Sequence, residues 1–411
     1  MDGPTVKVVF TLPRRTRLVY FGRTGHGILR NYIIEEDFVV YENPREILNF
    51  WVALRMLISG ERSEFAYYRA FLLLFRPDVV VTMEDNNITF YSTKVVLESC
   101  RTIAIQNGLR INLSHSPDAT FRADLRRLNQ LGHDADVIIT HGGLGTAFYR
   151  SSLPHSKGEF VEAGHLMNNA ITLTGVAVFE RPKRLVFISK YPNLNPADTS
   201  GGWHSQVMVY LNDTPLAAMD YFRVDAIVAR TCALIAREHA LPFVVLGKRP
   251  QRQTSEYEFF AKNLTGLEWT YLPSDSQSSS YESLRTGDVV INTDSTLGYE
   301  FLARGLRTAF ISARLSTAGH PEVRDFEFGY PIVTQSRGPF WTNDSSDSEI
   351  RRVLKFIMWA EESEWSEQTK FVRKSIFQFD PGNKVFCDIL DDVGIANTGP
   401  RSWTRDLIPA N

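Results

Sequence analysis

Short runs in which nearly every residue is apolar, many of them β-branched, alternate along this chain with longer stretches of helical period. Strands are predicted over Lys7–Leu12, Arg17–Phe21, Asp78–Thr82, Thr102–Gln106, Ala135–Thr140, Arg184–Ser189, Phe243–Leu246, Trp269–Tyr271, Asp288–Asn292 and Thr308–Ile311. Most of these runs are apolar on both faces, as buried parallel strands are. Helical spacing covers Pro44–Ile58, Glu64–Phe75, Phe121–Gln130, Met219–His239, Glu256–Leu264 and Gly298–Arg304. Strand and helix in alternation predict an α/β fold, economically two Rossmann-like domains facing a cleft. The predicted boundary falls at the charged, Pro-containing stretch Arg181-Pro182-Lys183-Arg184. It gives a sugar-side domain over 1–180, a nucleotide-sugar domain over 181–349, and a helical segment over 350–411 that folds back on the first domain. The stretch 191–204 (YPNLNPADTSGGWH) and the Ser-rich 273–283 read as surface loops, and no fixed-period repeat occurs.

Composition narrows the class. With 411 residues, 43% hydrophobic and 22% charged, the chain can build sizeable cores. A net charge of −2 argues against a general nucleic-acid binder. Three widely spaced cysteines, Cys100, Cys232 and Cys387, make neither a disulfide framework nor a metal cluster, and a reducing cytoplasm fits them. No apolar run reaches membrane-spanning length.

The chemistry-bearing residues gather at predicted strand ends. In DVVINTDSTLGYEFLARG, 288–305, a buried strand runs through Asp294-Ser295-Thr296 into a helix. Free N–H groups and the helix dipole there suit a phosphate, and Glu300 could accept from a ribose diol. A capped helix without a ligand fits the local pattern equally well. FVVLGKRPQ, 243–251, brings Lys248 and Arg249 to another carboxyl end, where cations would meet a phosphate or a sugar carboxylate. A solvated basic loop is the bland alternative. In the first half, Glu84–Asn87, Gln106-Asn107-Gly108-Leu109-Arg110, His141-Gly142-Gly143 and GEFVEAGHLMNN, 158–169, would line one edge of a parallel sheet. Gln106, Asn107, Arg110 and His165 are the substrate candidates, with Glu159 as proton acceptor. GRTGHG, 22–27, is a degenerate glycine loop. HExxH, CxxC and G-x-S-x-G are absent, so neither a catalytic metal nor a hydrolase elbow is expected.

Taken together, RPDVVVTMEDNN, AIQNGLR, VFISKYP, LGKRP, SSYESLRTGDVVINTDSTLGYEFLARG and FGYPIVTQSRGPFWTN resemble the bacterial surface-carbohydrate biosynthesis proteins. Within that group the chain looks most like the retaining β-Kdo transferases of capsule and O-antigen assembly. These are the KpsC-type enzymes and the amino-terminal domain of the WbbB-type synthase. The resemblance implies a modified GT-B fold, CMP-Kdo as donor, a lipid-linked or oligosaccharide acceptor, no metal or other cofactor, and a place in the cytoplasm or against the inner membrane. It also implies double displacement through an Asp nucleophile, whose position falls on Cys232. By helical spacing alone, four after Val228 and three before Ile235, Cys232 reads as a buried core residue. Arg249 stands where related CMP-sugar enzymes carry His.

Two other functions fit the same residues. One is a GT-B transferase using a UDP- or GDP-sugar, although a single Ser295-Thr296 cap suits the one phosphate of CMP. The other is a catalytically silent glycan-binding module.

Overall fold

The computed structural model describes residues 6–110, 118–171, 179, 181–190, 207–211, 214–248, 254–274, 279–285, 287–318 and 337–402. They form two α/β units. The first runs through Ala170 and takes up the chain again over Gln378–Ser402; the second spans Ile171–Phe377. The division therefore falls ten residues before the expected 180/181 boundary. The expected return of the C-terminal helices is made by Lys384–Asp392 alone. Asp347–Trp359 and Glu362–Ser375 belong to the second unit.

The first unit is built on a six-stranded, wholly parallel sheet. Its spatial order is Phe38–Tyr41, Leu18–Phe21, Val79–Thr82, Arg101–Ile105, Val137–Thr140, Glu159–Glu162. In chain order this is 2-1-3-4-5-6, so the direction of winding reverses between Leu18–Phe21 and Val79–Thr82. Apart from Arg101, the inner strands are fully buried, as their apolar runs require. Ser63 caps the helix Glu64–Phe75 by accepting from the Ala66 amide at 3.1 Å, and Arg76 ends it in a left-handed conformation. The helix packs Tyr68, Phe71 and Phe75 into an aromatic core with Phe21, Tyr41 and Phe90.

In the second unit the order is Thr270–Leu272, Phe243–Leu246, Arg184–Ile188, Asp288–Asn292, Arg307–Ile311, Trp341–Thr342, Arg337–Gly338. All neighbours are parallel except the last pair. In chain order this is 3-2-1-4-5-7-6, whose first five strands follow the 3-2-1-4-5 order of dinucleotide-binding Rossmann sheets, with the switch point between Arg184–Ile188 and Asp288–Asn292. The amino ends of those two strands are clasped by Arg184 and Asp288, whose side chains pair at 2.6 and 2.7 Å. The long helix Ala218–Glu238 lies against Arg184–Ile188 and Phe243–Leu246.

Two strands of the first sheet were not expected, Phe38–Tyr41 and Glu159–Glu162. Both are edge strands and largely half-exposed; Glu159–Glu162 (EFVE) lacks the continuous apolar run that marks the inner strands, whereas Phe38–Tyr41 (FVVY) has one.

Candidate functional site

Parallel sheets turn the ends of their strands into one shared edge, and ligands bind outside the carboxyl ends near the switch point. In the second unit that edge is organised around Arg314. The side chain is wholly buried, and every guanidinium N–H has an acceptor. Nε donates to Asp294 Oδ2 at 2.5 Å, and Nη2 donates to Asp294 Oδ1 at 2.8 Å and Thr293 Oγ1 at 3.1 Å. Nη1 donates to the Tyr221 carbonyl at 3.0 Å and closely to Asp225 Oδ2. Burial opposes the charge on Arg314, but the two carboxylates hold its pKa well above the usual value. Burial likewise disfavours the Asp294 carboxylate, yet Arg314, with help from Lys190, holds its pKa below the ordinary range. At Asp225 burial wins and the pKa is raised.

This clasp fixes the turn that follows the Asp288–Asn292 strand. Asn292 completes it, accepting from the Ser295 amide at 2.9 Å and donating to the Ser295 carbonyl at 3.0 Å. Gly298 lets the helix close on the strand: a Cβ there would meet Asn292 Cγ at 2.4 Å. Ser295 is the N-cap of the helix Thr296–Ala303, and its hydroxyl makes no capping bond. Ser295 and Thr296 are half-buried at the carboxyl edge, beside the first-turn amides of Thr296 and Leu297, while the Gly298 amide donates to the Ser295 carbonyl at 3.1 Å. Ser189 and Lys190 end the neighbouring strand across the switch point. One strand further, Lys248 is exposed on a turn pinned by Glu256. That carboxylate accepts from the Lys248 amide at 3.0 Å and from Tyr271 Oη at 2.7 Å. At about 4.8 Å per strand, this turn and Ser295 stand about 10 Å apart along the edge.

The structure thus brings Lys248, Ser295 and Thr296 to one edge and adds Lys190. Arg249 lies outside the described residues. Asp294 and Glu300 have other tasks than those expected. Asp294 is the partner of Arg314 and holds the turn. Glu300 is 4% exposed and accepts a close hydrogen bond from Tyr281, an interior pairing in place of the expected ribose contact.

The expectation for Cys232 is overturned. The residue is 0% exposed, amid buried Val228, Ala229, Ile235 and Ala236 on one face of its helix. Burial alone pushes its thiol pKa far up, which removes the thiolate that a nucleophile needs. It sits seven residues, about 10 Å, further along the helix than Asp225, which is the acidic residue at the level of the edge. The helical spacing had the right reading of Cys232.

In the first unit the expected polar wall exists. Asp85, Asn107, Arg110 and His141 follow the carboxyl ends of adjacent strands, and His165 follows the edge strand. Its centre is Asp85, 0% exposed, which takes Arg110 Nη2 at 2.7 Å and Nε at 3.0 Å, the Asn107 amide at 3.1 Å and a close bond from Tyr149 Oη. Burial and then the Asp85 charge raise the Tyr149 pKa well above normal, so it remains a donor. Gln106 is buried and bridges loops, donating to the Gly108 carbonyl at 2.7 Å and accepting from the His141 amide at 3.0 Å. Gln106 and Arg110 therefore shape the wall, whereas Asn107 is exposed on it. His165 is half-buried, its ring edge-on to His141 at 5.4 Å.

Glu159 is a second correction. It begins the edge strand, at the amino end of the sheet where its amide donates to the Asp136 carbonyl, opposite to the polar wall. The acidic residue at the carboxyl end of that strand is Glu162, which accepts from Gln378 Nε2 at 2.7 Å. At the switch point of this sheet, the glycine loop closes on Glu84. Gly22 has φ +83°, and a Cβ there would meet Glu84 Oε1 at 2.1 Å. Thr24 donates to the same carboxylate through its amide at 3.3 Å and its hydroxyl at 3.0 Å.

Among the described residues, no group of three or more His, Cys, Asp or Glu is placed to hold a metal ion, and no helix is long and apolar enough to cross a membrane.

Two substitutions test these placements. Asp85→Asn strands Arg110 in the interior and should cost about 3–5 kcal/mol of stability, read from urea unfolding. A loss below about 1 kcal/mol would show that solvent or another group supports Arg110. Cys232→Asp, which would create the expected nucleophile, should instead bury an unpaired carboxylate and lower the melting temperature sharply. An undiminished melting temperature would reopen the site at 232.

Comparison with known proteins gives the family. Curated proteins include no significant match. Among solved structures, the UDP-GlcNAc 2-epimerase of Neisseria meningitidis bound to UDP-GlcNAc is 10% identical, covering 94% of this chain and all of that one, with a TM-score of 0.48. The epimerase of Methanocaldococcus jannaschii in complex with UDP-GlcNAc and UDP is 12% identical over 92% of this chain and 99% of that one, at 0.47. The wall teichoic acid polymerase TagF is 11% identical over 92% and 89%, also at 0.47. These scores lie below the level at which a shared fold follows. The family described as "putative O-antigen biosynthesis protein" matches residues 103–393 of the 411, and the chain belongs to that family.

Proposed function

We propose that the chain is a glycosyltransferase of O-antigen assembly that takes its sugar from a nucleotide donor held at the carboxyl edge of the second sheet. The observation that carries this reading is the switch point itself. Lys190 flanks it on one side, and on the other the Ser295-Thr296 helix start is held outward by the Arg314 clasp. A phosphate there would meet backbone N–H groups, two hydroxyls and the positive end of a helix, with lysine charge nearby. Family membership supplies the context of polysaccharide synthesis.

For the donor we propose CMP-Kdo. Its support is the motif resemblance, together with the fit of one helix start to one phosphate. The acceptor glycan is assigned to the polar wall of the first unit, where Asn107 and His165 offer hydrogen-bonding groups on a scaffold held by Asp85 and Arg110. This reading gives no part in the transfer to Cys232, buried in the core, or to Glu159, at the far end of its sheet.

Ser295→Ala provides the test. Its hydroxyl caps nothing, so the fold should be unaffected, while one hydrogen bond to a charged phosphate should be lost. CMP affinity measured by calorimetry should then fall by about 1.5–3 kcal/mol, with the melting temperature unchanged. Equal CMP affinity in the variant would remove the phosphate from this helix start. Tighter binding of UDP than CMP by the unaltered protein would favour the UDP-sugar reading.

A further inference from the structure

The large apolar side chains left exposed among the described residues are concentrated on one face of the first unit. The helix Phe50–Ile58 buries only Val52. Its outward positions are apolar where a surface helix is ordinarily polar: Leu54, Leu57 and Ile58 are 39, 52 and 78% exposed. The strand Lys7–Val9 runs alongside, paired in parallel with Ile47–Asn49, and leads into Phe10 and Leu12, 66 and 69% exposed. The surface is continuous and built. The Phe10 and Phe50 rings lie 5.2 Å apart, Trp51 Nε1 donates to the Phe10 carbonyl at 3.2 Å, and Asn49 Nδ2 donates to the Thr11 carbonyl at 2.9 Å. Between this helix and Glu64–Phe75 lies an open hollow of about 410 Å³, whose walls include Trp51, Leu54, Ile58 and Leu73 with Arg55 and Arg69.

Cations outnumber carboxylates on this surface, where Glu61 pairs with Arg69 at 3.1 Å. Residues 6–17 and 50–60 contain Lys7, Arg14, Arg15, Arg17 and Arg55 and no carboxylate. The Arg14 and Arg15 side chains are 80 and 74% exposed, and each touches one acidic residue, Asp37 at 3.9 Å and Asp78 at 2.9 Å. Such exposed pairs contribute little, so both cations can exchange them for another anion. A contiguous apolar face with a tryptophan, rimmed by cations, matches the interface of a bilayer carrying anionic headgroups.

We propose that this face docks on an anionic phospholipid bilayer, with Phe10, Leu12, Leu57 and Ile58 entering the interface and the arginines meeting lipid phosphates. The inference is independent of which nucleotide the second unit binds. It is tested with the full chain by co-sedimentation with vesicles of phosphatidylethanolamine and phosphatidylglycerol, against phosphatidylcholine alone. Binding to the anionic vesicles should weaken with salt, and the neutral vesicles should sediment little protein. The exposed double substitution Leu57→Glu/Ile58→Glu should reduce anionic-vesicle binding at least tenfold without lowering the melting temperature. Arg14→Gln/Arg15→Gln tests the charge separately and should reduce it several-fold. The proposal is overturned if the unaltered protein ignores anionic vesicles or binds neutral ones equally. It is also overturned if both folded variants bind as before, or if light scattering shows a dimer that Leu57→Glu/Ile58→Glu dissociates.

Discussion

Arg314 has no solvent to share its charge, and a guanidinium in that position must be matched inside the protein or expelled. Asp294 takes two of its N–H groups, and Asp225, Thr293 and the Tyr221 carbonyl take the others. Those partners come from the end of the Asp288–Asn292 strand and from the first turns of the helix Ala218–Glu238. The rings of Tyr221 and Phe222 lie against the cation at 4.8 and 5.0 Å. One buried charge therefore fixes a strand end and a helix start together. The outward setting of Ser295 and Thr296 follows from it, because the residue before them is fixed inward.

The first unit applies the same physics with the signs exchanged. There a buried carboxylate, Asp85, gathers Arg110 and the Asn107 amide from one loop and Tyr149 from the helix Gly143–Ser152. In both units the fully buried ion is a positioning group, and more exposed polar groups stand beside it, Ser295 and Thr296 in one and Asn107 in the other. Buried ions of this kind add little net stability but allow few alternative arrangements of the loops that satisfy them. The apolar face of Phe50–Ile58 is the opposite case, since packing within its unit leaves it uncovered.

The inner strands and the long helices were legible in the sequence because burial on both faces, or on one helical stripe, writes itself as a pattern. Glu64–Phe75 is found at the bounds its spacing predicts. The edge strand Glu159–Glu162 was not legible, since its half-exposed positions admit polar residues, whereas Phe38–Tyr41 is apolar throughout and was missed despite its pattern. At the site, the DST and LGK turns were visible as strand ends, but the roles within them were not. Asp294 and Glu300 look like ligand residues until their partners Arg314 and Tyr281, 20 residues after and 19 before, are placed. Asp225 and Arg314 carry no local motif at all; only the fold brings them together. Cys232 shows the reverse, since its spacing against Val228 and Ile235 was the better guide to its place than a motif carried over from other proteins. Glu159 failed because the direction of a strand, and hence which end carries the loops, was not fixed until that strand was recognised.

The claim that organises this account is that a nucleotide phosphate sits at the start of the helix Thr296–Ala303. Amide hydrogen exchange with and without CMP addresses it directly, because the Thr296 and Leu297 amides begin the helix, before its first internal hydrogen bonds, whereas Gly298 already donates to the Ser295 carbonyl at 3.1 Å. Slowed exchange is expected at Thr296, Leu297 and Lys190, with Thr24–His26 of the first unit unchanged. Protection confined to the first unit's glycine loop, with none at Thr296 and Leu297, would contradict it.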